Sequence, residues 1–186
     1  MTDADSPQGP SYNVVVQPRL PNEEAASSNG PGRWVMLAYR VPRTPSTPRI
    51  AIWRSLKRLG VAQLLDGLVA LPLDSRTREA LEWVADDVEA AGGEATVWIA
   101  TPASRWQERA LAAQMAQAVA LEYQAVAGEA RAAAEQETWL RRRTLARLRR
   151  ELQRIRRRDF FPPAERERAE AAVEQLAATL EQAVQT

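Results

Sequence analysis

VAQLLDGLVALPL, at residues 61–73, consists of two short apolar runs on either side of Asp66-Gly67. This dipeptide is typical of a type I′ turn, in which both central residues need a positive φ angle. The segment therefore predicts a β-hairpin at the middle of the folded part of the chain.

Helical patterns flank the hairpin on both sides. Residues 47–59 predict a short amphipathic helix with Thr47 as its N-cap and Gly60 as its end, and its apolar face comprises Ile52, Leu56 and Leu59. Residues 75–91 predict a second helix that begins at Asp74 or Ser75 and stops at Gly92-Gly93. The inward positions of this second helix are Leu81, Val84, Val88 and Ala91.

Strand patterns stand at the two outer ends of this arrangement. Residues 33–41, RWVMLAYRV, are nearly continuous in apolar and β-favouring side chains, and residues 95–100 form a second run of this kind. Trp34 and Trp98 fall within these strands and are expected to be buried. The order strand, helix, hairpin, helix, strand predicts an α+β fold, a ferredoxin-like βαββαβ domain over residues 33–103.

The chain on either side of this domain has a different composition. Residues 1–32 are rich in proline and small polar residues and predict a disordered leader. Residues 104–186 carry no strand signal and predict three helical stretches at 104–136, 138–158 and 164–184. Since each has an apolar stripe, the tail is predicted to be a long helical hairpin or a small bundle.

Composition restricts the chemistry. The sequence contains no cysteine and no histidine, so the usual zinc, copper and haem ligands and histidine-based triads are excluded. We therefore expect a protein that is not an enzyme and that uses no metal and no cofactor. No apolar run approaches the roughly 20 residues that span a bilayer, and no export signal is recognisable, so we expect a cytoplasmic protein.

Positive charge is concentrated in the tail. Residues 139–158 contain ten arginines and one acid, Glu151, although the whole chain has a net charge of only +1. One interpretation is contact with DNA phosphates, for which we select Arg141, Arg142 and Arg143. The alternative is that glutamates of the neighbouring helices pair with these arginines inside the molecule.

A second basic cluster belongs to the α/β domain. Arg54, Lys57 and Arg58 have the spacing i, i+3, i+4 and share the helix face opposite the apolar one. Three more candidates lie near the first strand and the start of the helix: Arg40, Arg43 and Arg49. These residues predict a surface for DNA phosphate or another oxyanion, and the alternative is an ordinary solvated face.

The same residues carry a family resemblance. YRVP at 39–42, WRSLKRLG at 53–60, SRTR at 75–78, GGEA at 92–95 and LQRIRRRDFF at 152–161 resemble the N-terminal domain of the chromate-resistance regulator family ChrB. The resemblance implies a bacterial cytoplasmic protein, a chromate-responsive transcriptional regulator whose basic N-terminal region contacts DNA. Full-length members of that family carry a further C-terminal domain, and roles assigned to that part are not carried over here.

The α/β domain is also similar to the ferredoxin-like domains of PaaX-type repressors and of CRISPR spacer-acquisition nucleases. In those nucleases an acidic residue near the end of the first strand holds a metal ion, whereas this sequence has Arg40 there. An arginine repels a divalent cation, so a nuclease function is disfavoured.

Two hypotheses of function remain. The first is a DNA-binding regulator of a chromate-resistance operon, with a homodimer and with chromate or a similar oxyanion as further candidate partners, and no membrane contact. The second is a non-catalytic accessory or scaffold protein that binds another protein through its helical tail, with the arginines paired internally.

Overall fold

A computed structural model describes residues 32–185, and side chains up to residue 182. The predicted leader, apart from Gly32, lies outside the described residues. The elements follow one another as β1 (Trp34–Arg40), α1 (Ser46–Leu59), β2 (Ala62–Leu65), β3 (Leu68–Pro72), α2 (Ser75–Ala90), β4 (Glu94–Ala100), α3 (Arg105–Ala133), α4 (Thr138–Arg156) and α5 (Glu165–Gln185). The fold is α+β, with four strands and five helices among the described residues.

The four strands form one antiparallel sheet in the order β2-β3-β1-β4. The long apolar strand β1 lies inside the sheet, as its composition predicts, with Leu37 opposite Val69 on one side and Val97 on the other. The strands β2 and β4 form the two edges. The hairpin, both flanking helices and both outer strands occur where the sequence predicts them.

The type of turn in the hairpin was predicted wrongly. Gly67 has a φ of 77°, but no described residue other than glycine has a positive φ, so Asp66 does not adopt the type I′ geometry. Leu65 pairs with Leu68, so the loop still has two residues, and a register shift between Gln63 and Leu65 disturbs the pairing of β2 next to it. The Gly67 carbonyl accepts a 2.7 Å hydrogen bond from the Tyr39 backbone N–H and thereby ties the turn to β1.

The helix starts show one wrong prediction and one confirmed one. Helix α1 begins at Ser46 rather than after Thr47, and its N-cap, Pro45, makes no side-chain cap bond. Helix α2 is capped by Asp74, whose carboxylate accepts a 2.6 Å hydrogen bond from the Thr77 N–H. The Thr77 hydroxyl in turn accepts from the Asp74 N–H at 2.9 Å, which completes a capping box and fixes the start of α2.

The sheet and its two helices share one apolar core. Val35 and Leu37 of β1 are fully buried in the same cluster as Ile52 and Leu56 of α1 and the inward residues of α2, Leu81, Val84 and Val88. Trp34 is buried as predicted, and its ring stacks on that of Phe161 with 6.0 Å between centroids. The prediction for Trp98 was wrong, because this residue lies on the edge strand β4 and is 60% exposed.

The tail forms three helices that pack on one another. The α4 residues with heptad-like spacing, Leu145, Leu148, Leu152 and Ile155, are all buried in one cluster with side chains of α3 and α5. The tail also packs on the α/β part, since Met115 of α3 and the Phe160-Phe161 pair between α4 and α5 join the core of the sheet. Among the described helices, none is long and apolar enough to cross a membrane.

Candidate functional site

Helix α1 presents the first predicted basic surface to solvent. Because Ile52 and Leu56 point into the core, the opposite face carries Arg54, Lys57 and Arg58, and all three are exposed. The Lys57 ammonium lies 4.9 Å from the centroid of the Trp53 ring, a cation–π contact that leaves the charge accessible. None of the three forms an ion pair with a described carboxylate.

The other predicted residues of this surface are exposed as well. Arg43 and Arg49 have no ion-pair partner among residues 32–185, and Arg49 belongs to the first turn of α1. Arg40 differs, because its Nη2 lies 2.7 Å from Oε1 of Glu94, its partner in the strand register. Both side chains of this pair are 77% exposed, so the pair adds little stability and neutralises Arg40 only in part.

Helix α4 is divided into a neutralised part and a charged part. Four of its arginines, and Arg158 just after it, form ion pairs with carboxylates of α3, α4 or α5: Arg147–Glu129, Arg149–Glu174, Arg154–Glu151, Arg156–Glu170 and Arg158–Glu122. Internal pairing therefore accounts for much of the charge on the C-terminal two thirds of the arginine-rich segment.

The predicted residues at the start of α4 lie in the charged part. Arg142 and Arg143 are exposed and pair with no described carboxylate. Arg141 is half-buried, donates to Thr138 Oγ1 at 3.2 Å, and has a buried Nε without a hydrogen-bond partner. Of the three, Arg142 and Arg143 are thus the ones available to an external anion.

A buried ionic junction, which the sequence did not reveal, joins the tail helices. The Asp159 side chain is 0% exposed; its Oδ2 accepts a 2.9 Å hydrogen bond from the Tyr123 hydroxyl and lies 3.6 Å from Nη1 of Arg166. Burial raises the pKa of Asp159, although the Tyr123 hydrogen bond and Arg166 oppose the shift. Burial, together with the bond to Asp159, also raises the pKa of Tyr123 above its ordinary value.

Glu170 adjoins this junction on α5. Its Oε1 accepts hydrogen bonds from Nε of Arg156 and Nε of Arg166, each at 3.0 Å. Burial acts to raise the pKa of Glu170, but these two hydrogen bonds outweigh it and the pKa is lowered. The junction therefore attaches the end of α4 to α3 and α5 and serves the fold rather than an external ligand.

A basic cavity was also missed by sequence reasoning. It lies between α1, α2 and the end of α4, and its rim carries Arg58, Arg76 and Arg157. These arginines are far apart in the sequence, so no local pattern connects them. A larger cavity of about 500 Å³ lies between the sheet and α3, and no charged residue lines it.

Acidic side chains of the described residues form no comparable cluster. Within residues 32–185, no group of three or more acidic side chains is placed to hold a metal ion. Arg40, the residue that argued against a metal site at the end of β1, forms the exposed ion pair with Glu94.

Comparison with known proteins identifies a relationship. The family model described as "Protein ChrB, N-terminal" matches residues 49–185, about three quarters of the chain. The curated protein named Protein ChrB, from Cupriavidus metallidurans, is 36% identical over 66 residues. That match covers 36% of this chain and only 20% of the relative. No solved structure matches the chain.

Proposed function

Because the chain belongs to the family of the N-terminal region of ChrB, we propose that it is a DNA-binding transcriptional regulator of chromate-resistance genes. It acts by binding rather than by catalysis, and a cytoplasmic location follows from that role. The observation that carries the proposal is that, of the nine predicted cations, seven are exposed and lack an ion pair with a described carboxylate: Arg43, Arg49, Arg54, Lys57, Arg58, Arg142 and Arg143.

The contrast within the molecule supports this function. Four arginines at or just after the C-terminal part of α4 lie opposite glutamates of α3 or α5: Arg147, Arg149, Arg156 and Arg158. At the start of α4 and along α1, such glutamates are lacking among the described residues. Exposed arginines and lysines of this kind exchange their counterions for DNA phosphates, which is the main source of non-specific affinity for DNA.

The packing of the tail weakens the scaffold hypothesis. Its argument rested on the apolar seam of α4 as a surface for another protein. That seam is buried: Leu148 and Ile155 are each 0% exposed in the core of the three tail helices. A partner protein would have to displace α3 or α5 to reach it.

The proposal includes two further statements about architecture. We assign the α/β part to the ferredoxin-like class, on the basis of its βαββαβ order and the sheet order β2-β3-β1-β4. We also propose a homodimer, because bacterial operators are commonly two-fold symmetric. Light scattering on the purified chain measures its mass in solution; a monomer at all concentrations and with DNA would contradict the dimer.

The test of the function is the salt dependence of DNA binding. If about four to six cations contact phosphates, the slope of log affinity against log salt is about −4 to −5. Three double alanine variants, each of which lowers the net charge by two, are compared with the parent chain. They are Arg54/Lys57, Arg142/Arg143 and, as a matched control, Arg78/Arg154, whose exposed arginines pair with Glu82 and Glu151 on their own helices.

The expected results separate the two surfaces. Loss of two phosphate contacts makes the slope shallower by about 2, whereas the control variant keeps the parent slope. Circular dichroism establishes that each variant is folded. The regulator function is refuted if promoter DNA from the protein's own locus shows no salt-dependent binding to the parent chain at low ionic strength.

A further inference from the structure

The strand β4 forms one edge of the sheet, and within residues 32–185 no strand lies on its outer side. Among the described helices and strands, it packs only against β1 and α2. The outer row of backbone N–H and C=O groups of β4 therefore faces away from the sheet. An edge of this kind is a template for pairing with a strand of another chain.

The features that usually protect an edge strand are lacking in β4. Protected edges are short, bulged or charged, or they contain proline. The strand spans seven residues, Glu94–Ala100, without proline or lysine, and pairs with β1 in unbroken register. Its one charged residue, Glu94, already pairs with Arg40. The other edge, β2, has only four residues and carries the register shift, so β4 is the edge that suits pairing.

Large apolar side chains are exposed on both faces of β4. Trp98 is 60% exposed and lies in register with Met36, on the sheet face that α3 covers in part. Ile99 is 45% exposed and lies in register with Val35, on the face of α1 and α2. A strand added beside β4 would cover part of both side chains and provide partners for the backbone groups between them.

A second copy of the chain is the partner that fits this edge. Two copies of one strand that pair antiparallel are related by a two-fold axis, so the interface is closed after two chains. If all seven residues overlap, the pair is centred on Val97, and Glu94 lies opposite Ala100 of the second copy. No like charges then face each other. Pairing of β4 with β2 of another copy would instead leave further edges open, and the register shift in β2 opposes it.

We propose that two copies of the chain pair antiparallel through β4 and form one continuous eight-stranded sheet. Helix α2 packs on β4 and α1 packs beside α2, so a two-fold axis perpendicular to the sheet places these helices of both copies on the same face. The exposed cations of both α1 helices, Arg54, Lys57 and Arg58, then lie on one side of the dimer. The inference rests on the homodimer of the proposed function and names its interface; it does not require DNA binding.

The first experiment measures the mass of the full chain by light scattering over a range of protein concentrations. The parent chain should have twice the mass of one chain. Trp98→Lys should raise the dissociation constant of the dimer at least about tenfold, because it removes an apolar contact and places like charges beside the two-fold axis. Trp139→Lys is the matched control, since Trp139 is 65% exposed but lies on α4, and it should behave as the parent does. Circular dichroism verifies that both variants are folded.

The second experiment tests the orientation of the two strands by cross-linking. The chain contains no cysteine, so an introduced cysteine is its one thiol. Thr96 and Glu94 are both exposed. In the centred pair, strand spacing and rise place the two Cα atoms of position 96 about 8 Å apart and those of position 94 about 21 Å apart. A short thiol-reactive linker should therefore join Thr96→Cys chains into covalent dimers and leave Glu94→Cys chains single.

Three outcomes would overturn the proposal. A parent chain that is monomeric at every concentration, with and without DNA, is the result expected if this edge serves a different partner. A dimeric parent whose Trp98→Lys variant has an unchanged dissociation constant places the interface elsewhere and leaves the homodimer standing. Equal cross-linking of the Thr96→Cys and Glu94→Cys chains contradicts the antiparallel pair. Salt-dependent DNA binding by a monomer leaves the regulator function standing while this inference fails.

Discussion

Tyr123→Phe removes one hydroxyl group from the buried junction of the tail and leaves the ring in place. That hydroxyl donates the 2.9 Å hydrogen bond to Oδ2 of Asp159. The other carboxylate oxygen, Oδ1, is buried and already has no hydrogen-bond partner. After the substitution, the carboxylate retains the Arg166 guanidinium at 3.6 Å as its charged neighbour.

The size of the effect follows from the burial of the acceptor. Phenylalanine fills the same space, so no cavity term is added, and the cost is that of a buried charged acceptor left without its donor. Such a loss costs about 2–3 kcal/mol. For a chain of this size, it lowers Tm by about 4–12 °C.

The effect should depend on pH in a defined direction. Burial raises the pKa of Asp159 in the folded protein above its value in the unfolded chain. The stabilisation from protonating Asp159 is therefore fully present at low pH and is lost as the pH rises through the folded-state pKa. Loss of the Tyr123 donor costs less free energy when Asp159 is a neutral carboxyl group than when it is a carboxylate. The difference in the free energy of unfolding between variant and parent should therefore become smaller from neutral pH towards about pH 4.

Urea unfolding followed by tryptophan fluorescence measures the free energy of unfolding at each pH. Tyr39→Phe is the matched control, since Tyr39 is half-buried and no hydrogen bond of its hydroxyl to a described residue is present. The control should change stability by less than about 0.5 kcal/mol. Surface substitutions typically change the free energy of unfolding by less than about 0.5 kcal/mol. The prediction is refuted if Tyr123→Phe changes it by no more than that at neutral pH.

Two further substitutions test other parts of the fold. Glu170→Gln should destabilise the protein by about 1–2 kcal/mol at neutral pH, because its amide oxygen can still accept from Arg156 and Arg166 but the charge that strengthens both hydrogen bonds is lost. Since the folded-state pKa of Glu170 is lowered, this difference should disappear as the pH falls through that pKa, which urea unfolding at several pH values measures. Gly67→Ala should cost about 2 kcal/mol or more, because φ is 77° and the new Cβ would lie 2.4 Å from the Tyr39 carbonyl oxygen. Asp66→Ala, without these constraints, is its control in thermal unfolding; equal Tm values for the two variants would contradict the prediction.

Local patterns in the sequence were sufficient for the element order. The hairpin, the helices and the strands each depend on residues within about ten positions of one another. The spacing of apolar residues therefore predicts them directly. The prediction of the turn type was wrong because Asp66-Gly67 also fits turns in which only the glycine has a positive φ, and the dipeptide alone does not choose between them. The prediction that Trp98 is buried was wrong because the same apolar run can form a central or an edge strand.

The candidate site was predictable only in part, for a related reason. The exposed face of α1 follows from helical periodicity, so Arg54, Lys57 and Arg58 were found correctly as an exposed set. The cavity at Arg58, Arg76 and Arg157 depends on the docking of the end of α4 beside α1 and α2, which no spacing in the sequence specifies. Tertiary packing also determines which arginines of α4 form ion pairs with glutamates, so the sequence did not predict them.

The start of α4 shows why the remaining charge indicates a ligand rather than stability. A helix N-terminus carries a partial positive charge, so acidic side chains stabilise the first turn and basic ones oppose it. The first turn of α4 contains no acid, and Arg141, Arg142 and Arg143 follow within six residues of Thr138. The N-cap residue, Glu137, supplies the negative charge that this helix end favours, and helix stability does not account for the arginines that follow. The positive end of the helix and the exposed guanidinium groups of Arg142 and Arg143 act in the same direction on an external anion, and under the proposed function that anion is a DNA phosphate.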